Sequence, residues 1–250
     1  MRQHKAVASS LGVSVAAIVV AGGTGTRLKT KVHKSFVRLA GRPMLAWVLA
    51  ALERSPSVRD IVIVAHRGDL SAARRLARNE RCRKVSAVVP GGDSRKASVG
   101  CGLQAVPART RWVLVHDAAR PLVTPEIIRA CVRAARSAGA AIAAVPVVPT
   151  IKQCKAGWVV KTLDRKQLWA VQTPQVFERK LLERAHRRGM RNGFAATDDA
   201  TLVEALGRRV RIVPGSERNL KVTTPEDLVI AQALLATSLR GANATKQSRF

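Results

Sequence analysis

Short uninterrupted runs of Val, Ile, Leu and Ala alternate along the chain with stretches whose apolar residues recur every three to four positions. The first kind reads as strands buried on both faces, the second as helices lying against a sheet. The pattern predicts strands at Val13–Val20, Asp60–Ala65, Val85–Pro90, Trp112–His116, Ala140–Pro146 and Val210–Val213. Helices are expected at Pro43–Arg54, Leu70–Asn79, Lys96–Ala105, Thr124–Ala138, Glu178–Arg188, Asp198–Leu206 and from Pro225 to about Leu239. Thr124 has the chemistry of an N-cap, with Pro125 at the first helical position and Glu126 in the first turn. Such alternation implies an α/β fold, a mostly parallel sheet with helices on both faces.

The segment Thr150–Thr173 breaks the rhythm with short β-like runs around Gly157. It reads as a protruding β-arm of hairpin strands, too thin for a core of its own and in need of a partner to cover it. The chain is therefore expected to be one domain over 13–239, with 150–173 as the arm and with 1–12 and 240–250 as disordered tails.

Composition changes this picture at one point. Lys plus Arg number 44 against 16 Asp plus Glu, a formal net charge of +28. That excess invites nucleic acid, anionic membranes or phosphorylated substrates. The arginines are spread over many helices, however, aromatics make up 3% and Tyr is absent, so no stacking platform for bases is visible and no specific nucleic-acid partner is expected. The cysteines, Cys82, Cys101, Cys131 and Cys154, have neither Cys-x-x-Cys spacing nor a His at ligand distance and read as free thiols in a reducing cytosol. The apolar run Val13–Ala21 is too short to cross a bilayer, so no membrane partner is expected and the location reads as cytoplasmic. Met1–Gly12 is polar and basic and reads as a ragged N-terminus, a short plastid-type leader being the other reading.

The candidate chemistry sits where strands end, the edge at which open α/β sheets bind ligands. Ala21-Gly-Gly-Thr-Gly-Thr-Arg27 follows the first strand; its glycines let backbone amides approach phosphate, and Arg27 and Lys34 add cations just downstream. Gly91-Gly92-Asp93-Ser94-Arg95 with Ser98 could read a base edge or merely cap the next helix. In His116-Asp117-Ala118-Ala119-Arg120-Pro121, Asp117 could bind Mg²⁺ or orient a ligand and Arg120 could hold a phosphate; a plain Asp–Arg pair stiffening the loop is the alternative. Asn219-Leu-Lys221-Val-Thr-Thr224-Pro-Glu-Asp227 opens the last helix, where Thr224 and Asp227 have capping-box spacing and Lys221 is left to reach a phosphate.

Together with Thr150-Ile-Lys152, Thr173-Pro-Gln-Val-Phe177 and Thr197-Asp-Asp-Ala200, these segments resemble the 2-C-methyl-D-erythritol 4-phosphate cytidylyltransferases over roughly Val15–Gln232. The resemblance implies a Rossmann-like nucleotidyltransferase fold and transfer of CMP from CTP to a small sugar-alcohol phosphate, with Mg²⁺ or another divalent cation. It implies Arg27, Lys34 and Lys221 as catalytic cations, and Ala21, Gly22, Gly23, Gly25, Gly92, Asp93, Ser98 and Ala118 around the nucleotide. Asp117, Arg120, Thr150, Lys152 and Arg165 would face the second substrate, with Asp117 also a candidate metal ligand, and the arm would cross into the other subunit of a homodimer. Two positions depart from the family pattern. His33 stands where Pro is usual before Lys34, which should loosen the loop at a cost of about 1 kcal/mol. Pro149 stands where Asp is usual before Thr150. The sibling ribitol-5-phosphate enzymes share the loop and lysines, but Ala119 favours methylerythritol phosphate, since they tend to carry Val there. A non-catalytic basic nucleotide- or nucleic-acid-binding protein is the alternative from another class.

Overall fold

The computed structural model describes residues 15–23, 25, 28, 30, 32–191, 193 and 196–247, with side chains as far as 237. Arg27, a proposed catalytic cation, and the expected tail 1–12 lie outside the described residues. The strands are β1 (Val15–Ala21), β2 (Arg38–Leu39), β3 (Arg42–Pro43), β4 (Asp60–Ala65), β5 (Val85–Pro90), β6 (Trp112–Asp117), β7 (Ala140–Pro146), β8 (Lys152–Lys155), β9 (Trp158–Thr162), β10 (Trp169–Glu178) and β11 (Arg211–Pro214). The helices are α1 (Met44–Arg54), α2 (Leu70–Asn79), α3 (Arg95–Ala105), α4 (Pro125–Ala138), α5 (Arg179–Arg191), α6 (Asp199–Glu204) and α7 (Pro225–Gln247).

A seven-stranded sheet, ordered β11-β7-β10-β6-β1-β4-β5, divides the core into two layers. Alternate residues of β1 face opposite layers, as strand geometry requires: Val15, Ala17 and Val19 join the cluster under α1, α2 and α4, whereas Ala16 and Ile18 join the one under α3, α5 and α6. Every residue of β4 and β6 is buried, which explains why those runs carry no polar alternation. A smaller cluster, with Leu28, Leu39, Met44, Val222 and Leu235, seats α7 and the segment after β1 against each other.

Most of the sheet is parallel, but β10 runs antiparallel to both of its neighbours, β6 and β7. This corrects the expected end of the arm at Thr173: its return limb continues to Glu178 as an internal strand that the sequence pattern did not predict. Pro174 interrupts the pattern there, and the Thr173–Pro174 peptide is cis. The reach of α7 is a second correction. Its backbone stays helical through Gln247, so 240–247 is not an irregular tail; no Pro breaks that stretch, and Arg240, Ala242, Ala244, Lys246 and Gln247 suit a helix. Pro43 is the N-cap of α1 rather than its first helical residue. No helix among the described residues is long and apolar enough to cross a membrane.

Register aligns the carboxyl ends. Ala21 pairs with Ala65, Ala65 with Pro90, and Val20 with Asp117. The loops after β1, β4, β5 and β6 therefore leave the sheet side by side. The chain winds outward from β1 through β4 and β5 and resumes with β6 on the other side of β1. That reversal is the topological switch point at which doubly wound sheets open a crevice.

Candidate active site

Two adjoining compartments occupy this crevice. The first, about 340 Å³, is lined by Gly22, Gly23, Lys34, Gly92, Asp93 and Ser98 among others. The second, about 300 Å³, is lined by Arg120, Gln172, Thr173, Gln175, Asp198 and Thr201 among others. Arg95, Asp117 and Lys221 line both and so form the wall between them.

The first compartment is built by loops that only small residues fit. Gly25 has φ +69°, and a Cβ there would come within 2.7 Å of the Lys34 Cβ, so this glycine sets how closely Lys34 folds back over the loop. Ser35 donates to the Ala21 carbonyl at 2.8 Å and ties the returning segment to the end of β1. A Cβ on Gly92 would meet that of Ala97 at 2.7 Å. Ser94 caps α3 by accepting from the Ala97 amide, and Ser98 donates to the Gly92 carbonyl. The capping role expected at this loop thus falls to Ser94, leaving Asp93 exposed on the lining.

His33 does not leave the loop slack. Its φ of −59° and ψ of 142° match the conformation that Pro would impose, and its Nδ1 lies 2.5 Å from Asp69 Oδ2. A side-chain contact replaces the ring constraint.

The dividing wall is a chain of alternating charges. Asp117 Oδ1 accepts from Arg95 Nε at 3.1 Å, and Oδ2 lies 2.7 Å from Lys221 Nζ. Arg95 continues to Asp199 at 2.7 Å, and the other Asp199 oxygen meets His186 Nε2 at 2.9 Å. Burial by itself would raise the Asp117 pKa, but the Arg95 and Lys221 cations outweigh it and hold the carboxyl far below the usual range. Burial likewise opposes the charge on Arg95, yet Asp199 and Asp117 raise its pKa further. Both groups stay ionised at any physiological pH. The Asp117–Arg120 pair that the sequence suggested does not form: Arg120 donates instead to the carbonyls of Asn219 and Val171. Its Nε is buried without a hydrogen-bond partner, a donor directed at nothing in the protein.

Behind the wall, His116 is completely buried between β6 and β10. Asp117 N donates to Thr173 Oγ1 at 3.1 Å, so the Thr173 hydroxyl has its proton for His116 Nδ1 at 3.0 Å, and His116 Nε2 donates to the Arg120 carbonyl at 3.2 Å. The network assigns the neutral Nε2–H tautomer. Burial pushes the His116 pKa down to about 4. Lys221 is placed by the start of α7, where Thr224 accepts from the Asp227 amide and Asp227 accepts from the amides of Thr223 and Thr224. Asp fills the capping-box position that Glu or Gln usually holds.

The structure brings Gly22, Gly23, Lys34, Gly92, Asp93, Ser98, Asp117 and Lys221 around the first compartment and Arg120 into the second. Ala21 and Ala118 are buried behind it; the Ala118 amide is taken by the Val20 carbonyl, and its neighbour Ala119 reaches the lining instead. Thr150, Lys152 and Arg165 are exposed on or beside the arm, away from both compartments of their own chain. Lys152 donates to Thr162, and Arg165 to the Val148 carbonyl. Sequence reasoning passed over Arg95, Thr173, Gln175 and Asp199, although each lies in a segment it had singled out. The visible signal was an Arg and an Asp inside those segments with no assigned partner.

As a metal ligand Asp117 fits poorly, because each of its oxygens already faces a cation. Mg²⁺ needs carboxylates and retained waters in octahedral array, and Asp93 is the other carboxylate on the first compartment's lining among the described residues. The described residues of the first compartment do not form a resident Mg²⁺ site.

A model of the family described as "IspD: 2-C-methyl-D-erythritol 4-phosphate cytidylyltransferase" matches residues 15–237. The chain is 47% identical to the 2-C-methyl-D-erythritol 4-phosphate cytidylyltransferase of Pelotomaculum thermopropionicum, over 88% of this chain and 94% of that one. It is 45% identical to that of Symbiobacterium thermophilum, over 93% and 98%. Among solved structures, 4-diphosphocytidyl-2C-methyl-D-erythritol synthase from Anaerococcus prevotii superimposes with a TM-score of 0.80 at 28% identity, covering 90% of this chain and 99% of that one. The enzyme from Thermus thermophilus gives 0.73 at 32% identity, covering 88% and 98%. Fold, loop geometry and these likenesses agree, and the chain belongs to the 2-C-methyl-D-erythritol 4-phosphate cytidylyltransferase family.

Proposed function

We propose that the protein transfers CMP from CTP to 2-C-methyl-D-erythritol 4-phosphate, with release of pyrophosphate. The observation that carries this reading is the pair of compartments divided by Arg95, Asp117 and Lys221. Two phosphorylated substrates must meet at one phosphorus, and a cationic wall shared by both cavities is where they would meet.

CTP belongs in the first compartment, its triphosphate along Gly22 and Gly23 under Lys34 and its base toward Gly92, Asp93 and Ser98. The acceptor belongs in the second, where its phosphate would satisfy the buried Nε of Arg120. An oxygen of that phosphate attacks the α-phosphorus of CTP. The bond from that phosphorus to the oxygen bridging to the β-phosphate breaks, and pyrophosphate leaves with the electron pair. Lys34 and Lys221 neutralise the charge that gathers on the phosphoryl oxygens, the main catalytic demand of such a transfer. Asp117 acts through Lys221 and Arg95 by holding both cations at the wall. Mg²⁺ would arrive as a companion of the triphosphate, as part of the substrate.

The arm is read as a dimerisation element. Trp158 is 80% exposed, with Val159 and Val160 beside it. Apolar exposure of this size on a two-stranded hairpin calls for a cover. A second copy of the chain would supply it and would carry Thr150, Lys152 and Arg165 toward the neighbouring site.

The test is pyrophosphate release from Mg²⁺ and CTP with methylerythritol 4-phosphate or ribitol 5-phosphate as acceptor. Release with the first alone is expected. Release with the second alone would keep the chemistry and change the acceptor, and release with neither would remove the catalytic reading.

A further inference from the structure

His33 precedes Lys34, a lining residue of the first compartment, and His66 and Asp69 follow β4 close to Gly22; the proposed transfer uses none of the three. One ligand atom from each lies within 4.8 Å of the others, the one His/Cys/Asp/Glu group so placed among the described residues. We propose that these three side chains form a site for a transition-metal ion of the Zn²⁺ class, which clips the segment carrying Lys34 to the loop after β4.

The placement follows from the sheet. Ala21 and Ala65 are register partners, so His66, the next residue after β4, emerges beside the loop that follows β1. His33 returns over that loop, and its ring centroid lies 4.5 Å from that of His66 at a tilt of 41°. Asp69 holds the N-cap position of α2 but makes no capping hydrogen bond. Its carboxylate is turned instead to His33, 2.5 Å from Nδ1. That oxygen, Oδ2, is buried and makes no aligned hydrogen bond. This oxygen faces the His33 ring closely but without an aligned hydrogen bond, and a cation shared by carboxylate and imidazole would suit both.

The chemistry of the set selects the metal class. Two imidazoles and one carboxylate match the three protein ligands of open Zn²⁺ sites, whereas Mg²⁺ and Ca²⁺ require oxygen donors throughout. Bonds of about 2.1 Å would hold tetrahedral ligands about 3.4 Å apart, so closure asks for rotation of partly exposed side chains rather than backbone movement. Gly68 now donates to His66 Nδ1 at 3.2 Å, and a metal bound at that nitrogen would displace this amide. The net charge of +28 repels stray cations, so a site of this kind should stand above a low background.

The experiment uses the full chain after chelator treatment, without nucleotide, titrated with Co²⁺ in the presence of excess Mg²⁺. The expected result is one equivalent of Co²⁺ with the absorption of a four-coordinate ion, displaced by Zn²⁺ and untouched by Mg²⁺. His33→Pro and His66→Gln should each weaken binding at least 100-fold, and Asp69→Asn at least tenfold. Zn²⁺ should raise the Tm of the parent protein and leave that of His33→Pro unchanged, both proteins melting alike in chelator. If His33→Pro melts early, His66→Gln serves as the reference instead. Absence of saturable Co²⁺ binding, displacement by Mg²⁺, or unchanged affinity in both histidine variants would overturn the site.

Discussion

The wall between the compartments and the β8–β9 arm use polar and apolar side chains in opposite ways. At the wall, charge is buried and nearly every group has a partner: Asp117 touches two cations, Arg95 two carboxylates, and Thr173 closes a relay from a backbone amide to His116. On the arm, all residues of β8 and β9 are exposed, Trp158 included, and what holds them is their own hairpin ladder. A buried network fixes geometry within one chain, because removing a fully buried member leaves its neighbours short of a partner. An exposed apolar hairpin fixes nothing within one chain and gains only when something covers it. The wall should therefore respond to substitution through turnover and stability, the arm through assembly.

Several measurements sharpen or break that contrast. Lys221→Ala should lower kcat by about 10³-fold with little change in Tm, since it removes a cation from the reacting phosphorus. The Lys221 side chain is partly exposed, and Asp117 keeps Arg95 in its absence. Lys34→Ala should behave alike, by about 10²-fold, and normal turnover by either variant in the pyrophosphate assay would take that lysine out of the mechanism. Asp117→Ala should lose activity and also about 2 kcal/mol of stability, because it takes from Lys221 its carboxylate and from Arg95 one of its two. Urea unfolding showing parent-like stability would mean that the wall is not cooperative.

The His116 relay predicts a pH dependence of stability. The folded imidazole resists protonation until about pH 4, whereas the unfolded one takes its proton near 6.5. The contribution is therefore complete above pH 6.5 and is lost as pH falls toward 4, at most about 3 kcal/mol. Urea midpoints from pH 4 to 8 should show this slope in the parent and a flatter one in His116→Asn; equal slopes would refute the relay. The smallest effect belongs to the arm. Trp158→Ser should weaken self-association by about 2 kcal/mol, read by analytical ultracentrifugation, and leave the melting of a dilute sample unchanged. A monomeric parent protein would break the comparison itself.

Sequence pattern located Asp60–Ala65, Leu70–Asn79, Val85–Pro90 and Ala140–Pro146 with the bounds the structure shows. Each is a continuous apolar or 3.6-periodic run ended by turn residues or charge, a local signal. It did not reveal that β10 enters the sheet, because that strand begins in the exposed arm and contains Pro174, and its place between β6 and β7 rests on pairing with distant strands. Arg95 was overlooked for a similar reason. Its partners Asp117 and Asp199 are 22 and 104 residues away, so its role has no local signature.

By itself, then, the sequence determined the α/β alternation, the small-residue loops after β1 and β5, the capping of α4 and α7 and the family resemblance, all properties of residues near one another in the chain. Tertiary structure alone decided that Asp117 faces Arg95 and Lys221 rather than Arg120, that His116 is neutral, and that His33 meets His66 and Asp69. The physical reason is burial. Which partner a charge finds, and whether an imidazole can afford a proton, depends on the groups that the fold packs around it, and these come from separate strands brought together only at the carboxyl edge of the sheet.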